Sequence, residues 1–159
     1  RQGQTGISDM MSLSTSDYTS DVVIKEILET ARTIALIGAS DKPDRPSYAV
    51  MKYLKMQGYR VIPVNPFNAG KEILGEPVFG TISEISTPID MVDIFRKPDE
   101  VGQIIDAAIA ANAKAIWMQI GVVNQEAAKR ATAAGLPVVM DRCPKIEIPR
   151  LKIRSESIE

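Results

Sequence analysis

The sequence contains no histidine among its 159 residues. A Ser-His-Asp triad, a Cys-His dyad, a phosphohistidine intermediate and any His-ligated metal site within these residues are thereby excluded. Cysteine is almost as scarce. Cys143 stands alone, which rules out an internal disulfide and a Cys-pair zinc site and fits a reducing cytoplasm. Charge of one sign is not in excess: 19 Lys plus Arg face 20 Asp plus Glu, for a formal net charge of −1. Without a whole-protein positive field, no nucleic-acid partner is expected, although a local phosphate site stays open. No apolar run approaches the roughly 18 residues that would cross a membrane.

What remains is the composition of a globular protein, with 45% hydrophobic and 25% charged residues, at a length that suits one domain. Residues 1–16 are rich in Gln, Gly, Ser and Thr and have no apolar core of the kind a signal peptide needs. They read as a disordered leader or an expression remnant, with Met10 or Met11 as a candidate start. Residues 17–159 read as a single domain.

Val23, Ile24, Ile27, Leu28 and Ala31 fall on one helical face, with Ser20 or Asp21 to cap it. Thr33–Ile37 is a short apolar run of the kind found in a parallel strand buried on both faces. A loop with Pro43 and Pro46 leads to a helix over about 47–57, stopped by Gly58. Strands are expected at 59–64, at Pro77–Phe79 and at 91–95, with a polar connection over 67–76 and a helical turn near Ser83. Val101, Ile104, Ile105, Ala108 and Ile109 make the strongest helical stripe. A strand at 115–118, a helix capped by Asn124 and closed at Gly135, and a strand at 136–140 follow. Asp141 onward reads as an irregular tail. Alternating strands and helices predict an α/β fold: Rossmann-like and doubly wound, with a mainly parallel sheet of about five strands and helices on both faces.

Such a sheet binds its ligands at the C-terminal ends of the strands, near the point where strand order reverses. The first end, Gly38-Ala39-Ser40, offers a tight turn before a helix N-terminus, without the full G-x-G-x-x-G fingerprint. The second, Val64-Asn65-Pro66, lacks the acid that NAD-binding folds place there for the ribose hydroxyls, and Lys71 follows within reach of a phosphate. The third, Phe95-Arg96-Lys97, puts a ring and two cations before a helix. The fourth, Gln119-Ile120-Gly121, has a polar group and a second glycine. The fifth, Asp141-Arg142-Cys143, holds the lone thiol, which reads first as a small buried residue.

Taken in order, T-I-A-L-I-G-A-S (33–40), V-I-P-V-N-P (61–66), D-I-F-R-K-P (93–98), I-W-M-Q-I-G-V (116–122) and D-R-C-P-K-I-E (141–147) resemble the small CoA-binding proteins. Their single domain is similar to the N-terminal CoA-binding domain of the succinyl-CoA synthetase α subunit. The resemblance covers roughly 20–150 and implies a Rossmann-like domain with coenzyme A or an acyl-CoA as its ligand. Carried over by position, it nominates Gly38, Ala39, Ser40, Asn65, Pro66, Lys71, Phe95, Arg96, Lys97, Gln119 and Gly121 as ligand-binding residues, with no catalytic residue and no metal. The synthetase works through a phosphorylated histidine in a further domain, so its reaction is not implied for a sequence without histidine. The expectation is a cytoplasmic, non-catalytic carrier, sensor or partner of an acyl-transfer enzyme, with a homodimer or that enzyme as its protein partner. Two other readings stay open. One is an NAD(P)-binding oxidoreductase or redox-sensing domain. The other is a small CoA-dependent enzyme using Cys143 or Asp141.

Overall fold

A computed structural model describes residues 17–153. The expected leader at 1–16 lies outside them. Five parallel strands form the sheet, in the order β2-β1-β5-β6-β7. They are β1 (Thr33–Ile37), β2 (Arg60–Val64), β5 (Met91–Ile94), β6 (Ile116–Met118) and β7 (Val138–Val139). A small antiparallel hairpin, β3 (Glu72–Ile73) with β4 (Glu76–Pro77), stands apart from the sheet.

Helices cover both faces. On one lie α1 (Asp21–Thr30), α2 (Pro46–Met56) and α5 (Pro144–Arg150). On the other lie α3 (Val101–Ala110) and α4 (Gln125–Ala133). Side chains of a strand alternate between faces, and the core divides accordingly. Ile34, Leu36, Met91, Trp117 and Val139 pack under α1, α2 and α5. Ala35, Ile37, Val92, Ile94 and Met118 pack under α3 and α4. Both halves are closed to the surface: Trp117, Leu36, Met91 and Ile94 have no exposed area. Each large apolar side chain so buried stabilises the fold by about 1.5–3 kcal/mol.

The local signals act as expected at most element ends. Ser20 caps α1 by accepting from the Val23 N–H at 3.5 Å, and Asn124 caps α4 by accepting from the Ala127 N–H at 2.9 Å. Pro63 sits inside β2, where a missing N–H would break an interior ladder. It is tolerated because β2 is the edge strand.

Two expectations need correction. The segment from Asp141 onward is not irregular, because Pro144–Arg150 is helical. Pro144 occupies its first turn, where no N–H is needed, and Pro149 lies near its end, so prolines that read as breakers are accommodated. The connection over 67–76 contains β3, and Glu76–Pro77 pairs with β3 as a hairpin instead of opening a strand over 77–79. Phe79 forms only a single parallel bridge, to Val64.

Candidate functional site

The chain leaves β1 through α2 to reach β2 on one side, and every later sheet strand lies on the other. Strand order therefore reverses between β1 and β5. The two strands end there in very close approach. Gly38 has φ +88°, and a Cβ placed on it would meet the Phe95 carbonyl oxygen at 2.6 Å and Arg96 Cδ at 2.9 Å. Only glycine fits both the left-handed backbone and the space.

The turn after β1 is tied to the end of β2. The N–H groups of Gly38 and Ala39 both donate to the Val64 carbonyl, at 2.9 and 3.3 Å. Asn65 Nδ2 donates to the Ala39 carbonyl at 2.8 Å, while its Oδ1 accepts from the Phe67 N–H at 2.9 Å. Asn65 thus braces two loops. Its oxygen is already committed, and one amide hydrogen is left for a ligand.

Between these loops and α3 lies an open cleft of about 290 Å³. Its walls come from the end of β1 (Ile37, Gly38), the end of β2 (Val64, Asn65, Pro66), the 80–82 segment, Arg96, and the first turns of α3 (Gln103, Ile104, Ala107). The lining is mostly apolar, with a few polar groups at its rim, which is the composition of a small-molecule site. Arg96 Nε is 2.8 Å from Glu100 Oε1, and both side chains are about one third exposed. That pair holds Arg96 at the cleft edge with its charge partly answered. Phe67, beside Pro66, is 81% exposed, an unspent aromatic face next to the site.

The opposite face of the same strand ends is polar beneath its surface. Asp93, two residues beyond Met91 on β5, is fully buried. Burial pushes its carboxyl well above the usual carboxylate range. With the Gln119 amide oriented to match its surroundings, Nε2 donates to the two carboxyl oxygens at 2.8 and 3.2 Å. Gln119 is itself buried and follows Trp117 by two residues, so it shares that face. Ser47, in the first turn of α2, is buried there as well.

The loop ends of β6 and β7 are also tied together. Asp141, at φ +64°, accepts from the Gly121 N–H through Oδ1 at 2.8 Å. Trp117 Nε1 donates to the Arg142 carbonyl at 2.8 Å. Cys143 is buried in the core under α1, α2 and α5. Asp141 is therefore committed to holding a loop, and Cys143 to packing.

Of the nominated residues, Gly38, Asn65, Pro66 and Arg96 converge on the cleft. Ala39 is buried behind Asn65, and the Ser40 hydroxyl accepts from the Lys42 N–H at 3.1 Å. Phe95 packs partly against the α2-face core. Lys97 and Gly121 are exposed at their strand ends, and Lys71 is exposed on the approach to the hairpin, outside the cleft. Sequence reasoning missed Thr81, Ile82, Gln103 and Ile104, which no local motif marks and which only chain return brings to the cleft. It also passed over Asp93, whose signal was a lone carboxylate inside an apolar strand. Among the described residues no cluster of acidic or cysteine side chains could hold a metal, and no helix is long and apolar enough to cross a membrane.

A parallel sheet with a cleft at its strand-order reversal defines a Rossmann-like ligand-binding domain. The chain belongs to the CoA-binding domain family, whose model matches residues 32–149 and so takes in every strand end described above. It is 39% identical over 127 residues to the uncharacterized protein YneT of Bacillus subtilis, covering 80% of this chain and 93% of that one. It is 35% identical over 85 residues to the α subunit of the ADP-forming acetate–CoA ligase I of Pyrococcus furiosus, covering 51% of this chain but 18% of the ligase subunit. Among solved structures, a hypothetical protein from Pyrococcus horikoshii aligns with a TM-score of 0.79 and 42% identity, over 84% of this chain and 92% of its own.

Proposed function

We propose that the protein binds coenzyme A or an acyl-CoA and acts in the cytoplasm as a non-catalytic carrier, sensor or partner of an acyl-transfer enzyme. The observation that carries the reading is the cleft between β1, β2 and α3, which lies wholly within the residues matched by the CoA-binding family. Its volume and apolar walls suit adenosine beside Val64, Asn65 and Ile104. Phosphates would then cross the loop after β1, and the pantetheine arm would pass Phe95, Arg96 and Lys97 toward Gln119 and Gly121. Lys71, exposed and outside the cleft, is the cation this reading assigns to a phosphate on the ribose. Asn65 in place of an acid removes the usual acceptor for two free ribose hydroxyls, which favours CoA over NAD.

The non-catalytic part of the reading rests on what the strand ends carry. Asp141 is bonded to a loop amide, Cys143 is packed in the core, and the sequence offers no histidine. A homodimer or an acyl-transfer enzyme remains the protein partner this reading favours.

A melting-temperature panel with CoA, acetyl-CoA, dephospho-CoA, NAD and NADP tests it. A ligand present at 100 times its Kd stabilises by about 2.7 kcal/mol, so CoA is expected to raise the melting temperature by several degrees. Equal shifts with NAD and CoA would sink the reading. Thiol release from acetyl-CoA, followed in the same samples, is expected to stay at the rate of buffer alone. Release above that rate would replace the carrier with an enzyme.

A further inference from the structure

Helix α3 gives one stripe of side chains to the cleft: Glu100 at its N-cap, then Gln103, Ile104 and Ala107. Spacings of three and four residues make these neighbours on a single helical face. Ile104 and Ala107 are half-buried and apolar, while Gln103 is exposed and polar. No motif in the sequence marks this stripe, because the cleft exists only once the ends of β1 and β2 lie beside it.

The polar side chains around the cleft differ in what they have left for a ligand. Asn65 has committed its oxygen to the Phe67 N–H and one amide hydrogen to the Ala39 carbonyl. The Thr81 hydroxyl is bonded to that of Ser83 at 2.9 Å. Arg96 and Glu100 are paired with each other. The Gln103 side-chain amide has no hydrogen bond to another described residue, so its oxygen and both its N–H groups stay open. Such an amide offers an acceptor and a donor side by side in one plane. It recognises an edge that presents a donor beside an acceptor, and the N6–H and N7 of adenine are such an edge. A carboxylate or a phosphate presents acceptors alone and would leave the Gln103 oxygen without a donor.

We propose that Gln103 reads the base of the ligand, its side-chain amide pairing with the N6–H and N7 edge of adenine while Ile104 and Ala107 lie against the ring. Gln103 then sets base specificity. Hypoxanthine, which carries an oxygen in place of the N6 amine, turns that edge into two acceptors and leaves the Gln103 oxygen without a donor. The assignment rests on the CoA reading for the presence of adenine and goes beyond it in naming the side chain that selects the base.

Calorimetry on the full chain compares CoA with CoA whose adenine has been deaminated to hypoxanthine. Wild-type protein is expected to bind the deaminated form about tenfold more weakly, as for the loss of one matched base edge. Gln103→Met keeps the length of the side chain and removes both hydrogen-bonding groups. Because Gln103 is exposed, the variant is expected to keep the wild-type melting temperature. It should bind CoA about tenfold more weakly than wild type and bind the two forms alike. Wild-type protein that binds both forms equally, or a Gln103→Met variant that keeps the wild-type affinity for CoA or the wild-type preference, would overturn the proposal and leave the CoA reading intact. Wild-type protein that binds neither form would overturn the CoA reading and the assignment of Gln103 with it.

Discussion

Asp93 shows how much one residue's meaning depends on its surroundings. In the sequence it is a carboxylate in an apolar strand. In the fold it is fully buried, with the Gln119 amide against it. Burial favours the neutral acid, so its pKa is raised above the unfolded value. The sign of the linkage follows. The stabilising contribution is complete below the ordinary carboxylate range and is lost as pH rises toward the folded pKa, at up to about 1.4 kcal/mol per pH unit. Asp93→Asn should therefore melt higher than wild type at pH 8 and show little advantage at pH 4. Melting curves at both values check this, and an equal gain at both would assign the effect to packing alone. Asn65 teaches the converse. Its position at the second strand end was legible, but its work as a brace between loops depends on where Ala39 comes to rest.

Elements were legible where either a periodic stripe or a cap marks them. The stripe of α3 and the Asn124 cap of α4 were both readable in the sequence. Asn124 does more than cap, since its Nδ2 also donates to the Pro98 carbonyl at 2.9 Å and so ties α4 to the loop before α3. Asn124→Ala is expected to cost about 1 kcal/mol in urea unfolding, and Asn124→Asp should recover the cap but not the tie. At the β1–β5 end the predicted effect is larger. Gly38→Ala forces a Cβ against the Phe95 backbone oxygen, which cannot move without parting the two strands. A loss of about 1–3 kcal/mol is expected from the backbone conformation alone, with a lower denaturation midpoint and weakened CoA binding together. Unchanged stability would mean that the Phe95 carbonyl oxygen does not stand 2.6 Å from where the new Cβ must go. Helix α5 and the β3–β4 hairpin escaped sequence reading for the same reason. Both are short, α5 carries Pro144 and Pro149, and the hairpin ends on Pro77, so neither shows a periodic stripe of its own.

At the scale of the whole molecule, α5 closes the α1 side of the core. Arg150 pairs with Glu147 at 2.5 Å and with Asp21 at 2.6 Å, joining the last helix to the first. Glu147 is buried and Asp21 is exposed. The hydrogen bond from Arg150 holds the Asp21 carboxyl below its usual range. Arg150→Ala leaves Glu147 buried without its partner and should lower the melting temperature, and a second change, Glu147→Gln, should restore part of the loss. Raising salt should weaken the exposed Asp21 contact more than the Glu147 one. Melting of the single and double variants at low and high salt measures both effects.

The alternation of strand and helix, the parallel sheet that follows from it, and the strand ends as the place to look are all legible in the chain's local pattern. Those are local properties: apolar runs, periodicity, caps and glycines act over a few residues, and five blocks in order sufficed to mark the family. Which donors remain for a ligand is settled by packing between distant stretches. Whether the amides of Gly38 and Ala39 are free depends on the Val64 carbonyl, which another strand brings to them. A hydrogen bond can be spent once, and the group that claims it often comes from a distant stretch of the chain.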